Sequence, residues 1–143
     1  MKKLLKFLFI TSDDPNIGLL VLRVFVGAAM LTHGIPKITS GPEFWEKVGA
    51  VMGSIGVPGP AVAWGFMAAV AESVGAALLL LGALTTIASF LLVFTMSIAA
   101  FVAHAADPFD VKEKALLFLF AALLFLLKGA GRWSVDRLIR RSA

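Results

Sequence analysis

The sequence predicts an all-α membrane protein, a four-helix transmembrane bundle with short interfacial helices. Of its 143 residues, 59% are hydrophobic and 15% are charged, whereas soluble domains contain about 45–50% apolar and about 25% charged residues. Residues 61–106 contain one formally charged residue, Glu72. That run is too long for one span, because about 20 residues cross the hydrocarbon core. The length favours a single domain, 1–143.

Four apolar segments have the length of a span. They lie at about 16–35, 61–82, 84–105 and 108–129. Gly82 permits a tight turn between the second and third segments, and Asp107-Pro108 begins the fourth. A helix at 16–35 is preceded by "SDDP", in which Ser12 or an aspartate supplies the N-cap.

Three further segments predict helices at the membrane surface. The proline-rich loop 36–60 contains "PEFWEKVGAVMGSI", whose apolar residues recur at helical spacing. Residues 1–11 and the C-terminal "GRWSVDRLIRRSA" combine apolar and basic residues in the same way. Trp45 and Trp64 suit the membrane–water interface, where tryptophan is enriched.

The basic residues predict the orientation. Four spans place both termini on one side of the membrane, and lysine and arginine favour the cytoplasmic side. The basic residues near the termini are Lys2, Lys3, Lys6, Lys128, Arg132, Arg137, Arg140 and Arg141. Both termini are therefore expected in the cytoplasm, with the basic ends against anionic lipid.

Composition excludes several classes of function. The chain has no cysteine, which excludes disulfides, zinc–thiolate sites and dithiol chemistry. A nucleic-acid partner is not expected, because no basic patch lies on a soluble face. The sequence also contains no glycine-rich phosphate loop and no Ser/His/Asp triad.

Arg23 and Glu72 are charged residues deep in the first two predicted spans. At about 1.5 Å per residue, Arg23 lies roughly 10 Å from one surface and Glu72 lies near the midplane. Unpaired charges are unfavourable in lipid, so the sequence predicts an Arg23–Glu72 ion pair. The pair could be a structural tie between helices, or part of a proton, quinone or substrate site. Gly27, Ala71 and Gly75 favour close packing of the same helices.

His33 and His104 are expected at one depth near the outer surface, close to Lys37. They could be hydrogen-bonded interfacial histidines, a ligand or quinone headgroup site, or metal or haem ligands. Two histidines without a third ligand at metal spacing are weak evidence for a metal, so no metal site is predicted. His33 lies about 15 Å along the helix from Arg23, so only a long amphiphile could contact both.

Four sequence segments together resemble the DoxX family. They are "LRVFVGAAMLTHGIPKI", "AESVGAALLLLGALT", "HAADPF" with the following "KE.ALLFL", and "GRWSVDRLI", and they span roughly 17–139. By position, Arg23, His33, Lys37, Glu72 and His104 match the recurring polar positions of that family. Thr86 departs from the pattern, since members often have a basic residue after the "G-x-L-T" turn.

The resemblance implies a four-helix protein of the bacterial inner membrane with a link to redox physiology. A related branch, DoxD, is associated with thiosulfate:quinone oxidoreduction, and some DoxX proteins are associated with oxidative-stress complexes. No thiosulfate-handling domain is present in this sequence. The chain is therefore expected to be at most a membrane subunit of a quinone-linked oxidoreductase.

The leading functional expectation is a membrane subunit of a redox system. A quinone or another small amphiphile would bind among Arg23, His33, Lys37, Glu72 and His104; quinone is the candidate cofactor. Glu72 would accept a proton, Arg23 would orient a headgroup, and no catalytic residue is assigned. The alternatives are a non-enzymatic scaffold that holds partner proteins, and a small transporter. Expected partners are the bilayer, redox proteins and further copies of the chain.

Overall fold

The computed structural model describes residues 17–142. The predicted interfacial helix at 1–11 and the predicted N-cap in "SDDP" lie outside this range. Within it the fold is all-helical, without a strand. The helices are α1 (Ile17–Thr39), α2 (Pro42–Ser54), α3 (Ala61–Leu81), α4 (Thr85–Ala103), α5 (Phe109–Lys128) and α6 (Val135–Ser142).

The helices match the predicted segments closely, with one difference in α1. This helix continues through Pro36 to Thr39, whereas the sequence was expected to enter a loop at 36. A proline lacks one backbone N–H, so Pro36 removes a single hydrogen bond from the helix. A residue of α2 also stabilises that last turn, because the Trp45 indole Nε1 donates a 2.8 Å hydrogen bond to the Lys37 carbonyl.

Three helices have the length and composition of membrane spans: α1, α3 and α4. Helix α5 has 20 residues, but its first two turns carry Asp110, Lys112, Glu113 and Lys114. Its uninterrupted apolar run, 115–127, is shorter than a typical span. The chain is therefore a helical membrane protein with three clear candidate spans.

Glycines set the register of α1 against α3. A Cβ atom at Gly27 would lie 2.7 Å from the Leu80 Cβ, and one at Gly34 would overlap the carbonyl of Glu72. The two antiparallel helices therefore touch backbone to backbone at two levels, as expected for small residues between membrane helices. Gly75, predicted to pack in the same way, instead has α4 as its neighbour, with Ala88 O 3.8 Å away.

Helix α2 is fixed firmly to the first half of α3. Cβ atoms at Gly49 and Gly65 would overlap backbone atoms of the facing helix, so the two helices are in close contact. The rings of Trp45 and Phe66 also pack at a centroid distance of 4.9 Å. Helix α2 makes little contact with α4, so a gap remains between these two helices.

The C-terminal segment, residues 129–142, is attached to the turn between α3 and α4. The Asp136 carboxylate accepts hydrogen bonds from the backbone N–H groups of Leu84 (2.6 Å) and Thr85 (2.9 Å). Its own N–H donates to the Gly82 carbonyl at 2.9 Å. Asp136 is fully buried and caps the N-terminus of α4 from another helix. The sequence predicted an interfacial helix in "GRWSVDRLIRRSA", which the structure places at Val135–Ser142, but it did not predict this cap.

Replacing Asp136 with alanine is expected to lower the free energy of unfolding by about 0.5–2 kcal/mol, the usual effect of removing an N-cap carboxylate. Thermal unfolding of the purified protein in detergent measures the change. The matched control is Asp110→Ala, which removes an exposed carboxylate from the first turn of α5. An Asp136→Ala protein as stable as this control would contradict the capping role.

Candidate functional site

Arg23 does not lie with the other predicted site residues. Its guanidinium donates hydrogen bonds to the carbonyls of Ala130 and Trp133 in the C-terminal segment. The side chain is 2% exposed and lies against the Gly82 turn, where an added Cβ would be 2.6 Å from Arg23 Nη1. Arg23 therefore joins α1 to the C-terminal segment, and it lines neither of the large cavities described below.

The predicted Arg23–Glu72 ion pair is wrong, and the helix register explains why. Gly27 lies opposite Leu80, and Gly34 lies opposite Glu72. In this antiparallel register Arg23 is level with residues near 84, so it is roughly 18 Å from Glu72 along the helix axis. The depth estimate failed because α3 begins well beyond the end of α1. The structure also gives no support to one amphiphile that contacts both Arg23 and His33, because Arg23 lines neither of the two cavities described below, whereas His33 lines the smaller one.

Lys37 is the partner of Glu72. Its Nζ donates to both carboxylate oxygens, at 2.6 Å and 2.7 Å. The Glu72 side chain is 4% exposed and that of Lys37 is 30% exposed. A single ammonium group thus neutralises a nearly buried carboxylate, an arrangement that is strongly destabilised when one partner is lost.

The ion pair separates two cavities. The larger, of about 510 Å³, lies between α2, the first half of α3 and the second half of α4. Most of its lining is apolar, including Met52, Leu91 and Phe94. The smaller, of about 220 Å³, lies between α1, α4 and α5. Lys37, Glu72, Ala99 and His104 line both cavities.

Both predicted histidines line the smaller cavity. His104 Nδ1 makes a 2.7 Å hydrogen bond to the Asp107 carboxylate, and the His33 ring packs edge-on against Phe118 at 6.0 Å. Within residues 17–142, no group of three His, Asp or Glu side chains has the spacing of a metal site. The structure thus brings together His33, Lys37, Glu72 and His104, and separates Arg23 from them.

Two π-helical segments border the site. One, Ala71–Gly75, contains Glu72 and interrupts α3. The other, Ala99–Ala103, ends α4 immediately before His104. Such widened turns are rare and occur frequently at functional sites. Sequence periodicity gives no direct signal for π-helical turns, and neither segment was predicted from the sequence.

Two lysines at the site were also missed. Lys47 of α2 lines the larger cavity and Lys114 of α5 lines the smaller one. Neither forms a salt bridge within the described part of the chain. Lys114 could have been found from the predicted topology, because the start of the fourth span lies at the same end as His33. Lys47 could not, since the direction of α2 depends on its packing against α3.

Comparison with known proteins identifies the family. A family model described as DoxX matches residues 18–105. A protein of Haemophilus influenzae, described as an uncharacterized protein, is 33% identical over 122 residues, which cover 80% of this chain and 85% of that relative. No solved structure matches the chain. The resemblance noted in the sequence is thus confirmed, and the chain belongs to the DoxX family of membrane proteins.

Proposed function

We propose that the chain is a membrane subunit of a redox or oxidative-stress-linked system and binds a quinone or another small amphiphile. The observation that carries this proposal is the 510 Å³ cavity, which is largely apolar and ends at the Lys37–Glu72 ion pair. Ligand pockets typically measure about 300–1,000 Å³ and combine apolar walls with a few convergent polar groups.

The lining suits an amphiphile with a polar head and an apolar tail. Lys37 Nζ and the His104 ring offer hydrogen-bond donors to a quinone carbonyl. Glu72, nearly buried beside them, is the group that could exchange a proton with a reduced headgroup. The tail would lie against Met52, Leu91 and Phe94. Arg23 has no part in this site, and its proposed role is structural.

The gap between α2 and α4 provides a route from the bilayer. Phe94 of α4, which lines the cavity, is 47% exposed. Met67 lines the cavity on α3 and is 53% exposed. A membrane-dissolved ligand would therefore enter sideways between the helices, without crossing the aqueous phase.

The proposed setting is the bacterial inner membrane, with α1, α3, α4 and α5 as four spans and both termini cytoplasmic. Helix α5 packs along α4, and its 20 residues extend about 30 Å, the thickness of the hydrocarbon core. In this orientation the ion pair lies toward the outer half of the bundle. Redox proteins or further copies of the chain would complete the system.

The test is quinone binding by the purified protein in nanodiscs of phosphatidylcholine. Decylubiquinone is expected to quench the fluorescence of Trp64, which lines the cavity, in a saturable manner. The double variant Lys37→Met/Glu72→Gln removes both charges without leaving an unpaired carboxylate. Its affinity is expected to be about ten-fold or more weaker, since a hydrogen bond to a charged group contributes about 1.5–3 kcal/mol.

The matched control is Lys128→Met/Glu46→Gln, which makes the same chemical changes at two exposed side chains away from both cavities. It is expected to bind decylubiquinone as the unmodified protein does. Quenching that never saturates, or equal affinities for the two double variants, would contradict quinone binding at this site.

A further inference from the structure

The charges around the two cavities favour a particular class of amphiphile. The charged and titratable side chains near Glu72 are His33 and Lys37 from α1, Lys47 from α2, His104 and Asp107 from the α4–α5 loop, and Lys114 from α5. Among the described residues, 17–142, Glu72 is the only carboxylate that lines either cavity. Each cavity therefore has a formal lining charge of +1, from two lysines and one glutamate.

The ion pair is arranged so that a second anion would compete for it. Both oxygens of Glu72 are held by the single Nζ of Lys37, and that lysine faces both cavities. An anionic headgroup that enters the larger cavity meets Lys37 at its inner end and Lys47 on its wall. The Lys37 ammonium has a third N–H that a neutral headgroup can accept, but an anionic headgroup also competes with the Glu72 carboxylate for the same positive charge and can displace it.

A displaced Glu72 carboxylate would be left nearly buried and without a cation. Such a group is strongly disfavoured when ionised, and it becomes neutral by taking up a proton. The exchange conserves charge: before binding the site holds Lys37⁺ and Glu72⁻, and afterwards it holds Lys37⁺, the anionic ligand and neutral Glu72. The smaller cavity, lined by His33, His104 and Lys114, offers the proton a polar route.

We propose that this site binds an amphiphile with an anionic headgroup, a carboxylate or a phosphate, and that each molecule bound is accompanied by uptake of one proton by Glu72. The inference rests on the proposed function, because it concerns the same cavity, and it narrows the ligand from any small amphiphile to an anionic one. Since the complex contains the protonated glutamate and the free protein contains the ionised one, binding strengthens as the pH falls and weakens as it rises.

The test compares dodecane sulfonate, which stays ionised at all relevant pH values, with dodecanol, which has the same chain and no charge. Titration calorimetry in phosphatidylcholine nanodiscs, repeated in two buffers of different ionisation enthalpy, gives both the Kd and the protons taken up. We expect the sulfonate to bind at least about ten-fold tighter than dodecanol. Uptake of one proton also predicts that the Kd rises about ten-fold for each pH unit.

The variant Glu72→Gln separates this mechanism from a purely structural role. With Lys37 already released, the variant is expected to bind the sulfonate at least as tightly as the unmodified protein, with no proton uptake and little pH dependence. A glutamate needed only for folding would instead give weaker binding. The control Glu46→Gln, an exposed carboxylate outside both cavities, is expected to retain the full proton uptake.

Dodecanoate and dodecyl phosphate are both expected to bind, and the tighter of the two shows which headgroup the site prefers. Three results would overturn the proposal: no preference of the unmodified protein for the sulfonate over dodecanol, binding without proton uptake, or uptake that persists in Glu72→Gln. If Glu72→Gln does not fold, the number of protons taken up by the unmodified protein decides between the two explanations.

The two proposals can fail separately. If the protein binds decylubiquinone but no anion, this inference is wrong and the proposed function is retained. If it binds neither, both are wrong.

Discussion

Replacement of Arg23 with methionine is expected to release the C-terminal segment and lower the free energy of unfolding by about 2–5 kcal/mol. Methionine is of similar length but donates no hydrogen bond, so the buried carbonyl of Ala130 and the part-buried carbonyl of Trp133 lose their donors. An acceptor left without its donor in a buried place costs about 1–3 kcal/mol, so two such acceptors account for the expected loss.

Trypsin provides a local measurement of this release. The C-terminal segment contains Arg132, Arg137, Arg140 and Arg141, so cleavage there should become much faster in Arg23→Met, together with a lower melting temperature. The matched control is Arg132→Met, because Arg132 is exposed. Unchanged proteolysis and melting in Arg23→Met would show that the arginine does not hold the segment.

Replacement of Gly34 with alanine is expected to push α1 and α3 apart beside the site. The added Cβ would overlap the carbonyl of Glu72 and approach Ser73 N at 2.5 Å. Backbone atoms of a packed helix cannot turn aside as a flexible side chain does, so the helices themselves must separate. We expect a loss of about 1–3 kcal/mol of stability, the usual effect of overpacking, and weaker binding at the Lys37–Glu72 pair.

Gly53→Ala is the matched control for this change. A Cβ atom at Gly53, on the exposed side of α2, would have no atom within 4 Å, and alanine favours a helix over glycine by about 0.5–1 kcal/mol. Thermal melting and decylubiquinone binding together distinguish the two variants. A Gly34→Ala protein that melts and binds like Gly53→Ala would refute the close contact between α1 and α3.

The helices could be predicted from the sequence because their signals are local. Apolar runs of span length and the amphipathic pattern at 42–54 each identify a helix without knowledge of its neighbours. The close contact at Gly27 could also be anticipated, since a small residue on a membrane helix favours near approach. The end of α1 was misplaced because Pro36 normally marks a helix boundary, whereas here the contacts of Lys37 keep the last turn helical.

The partners of the charged residues could be predicted only in part. His33, Lys37 and His104 were expected near the outer surface and Glu72 near the midplane. In the structure all four line adjoining cavities. The partner of Glu72 depends on the offset between α1 and α3, which follows from glycine contacts that the sequence does not locate. The cap formed by Asp136 joins residues 52 positions apart, and no local pattern signals it. The widened turns at 71–75 and 99–103 depend on packing in the same way.

The attachment of the C-terminal segment has a consequence for biogenesis. A chain leaves the ribosome from its N-terminus, and its earlier parts begin to fold first. Helix α4 would therefore enter the membrane before its capping residue, Asp136, has been synthesised. The hydrogen-bond acceptors of Arg23, the carbonyls of Ala130 and Trp133, lie more than a hundred residues later in the chain and are also synthesised late. Until then these polar groups lack the partners that they have in the folded chain. Attachment of the C-terminal segment to the other helices would then be the last step of folding, after the helices have been inserted.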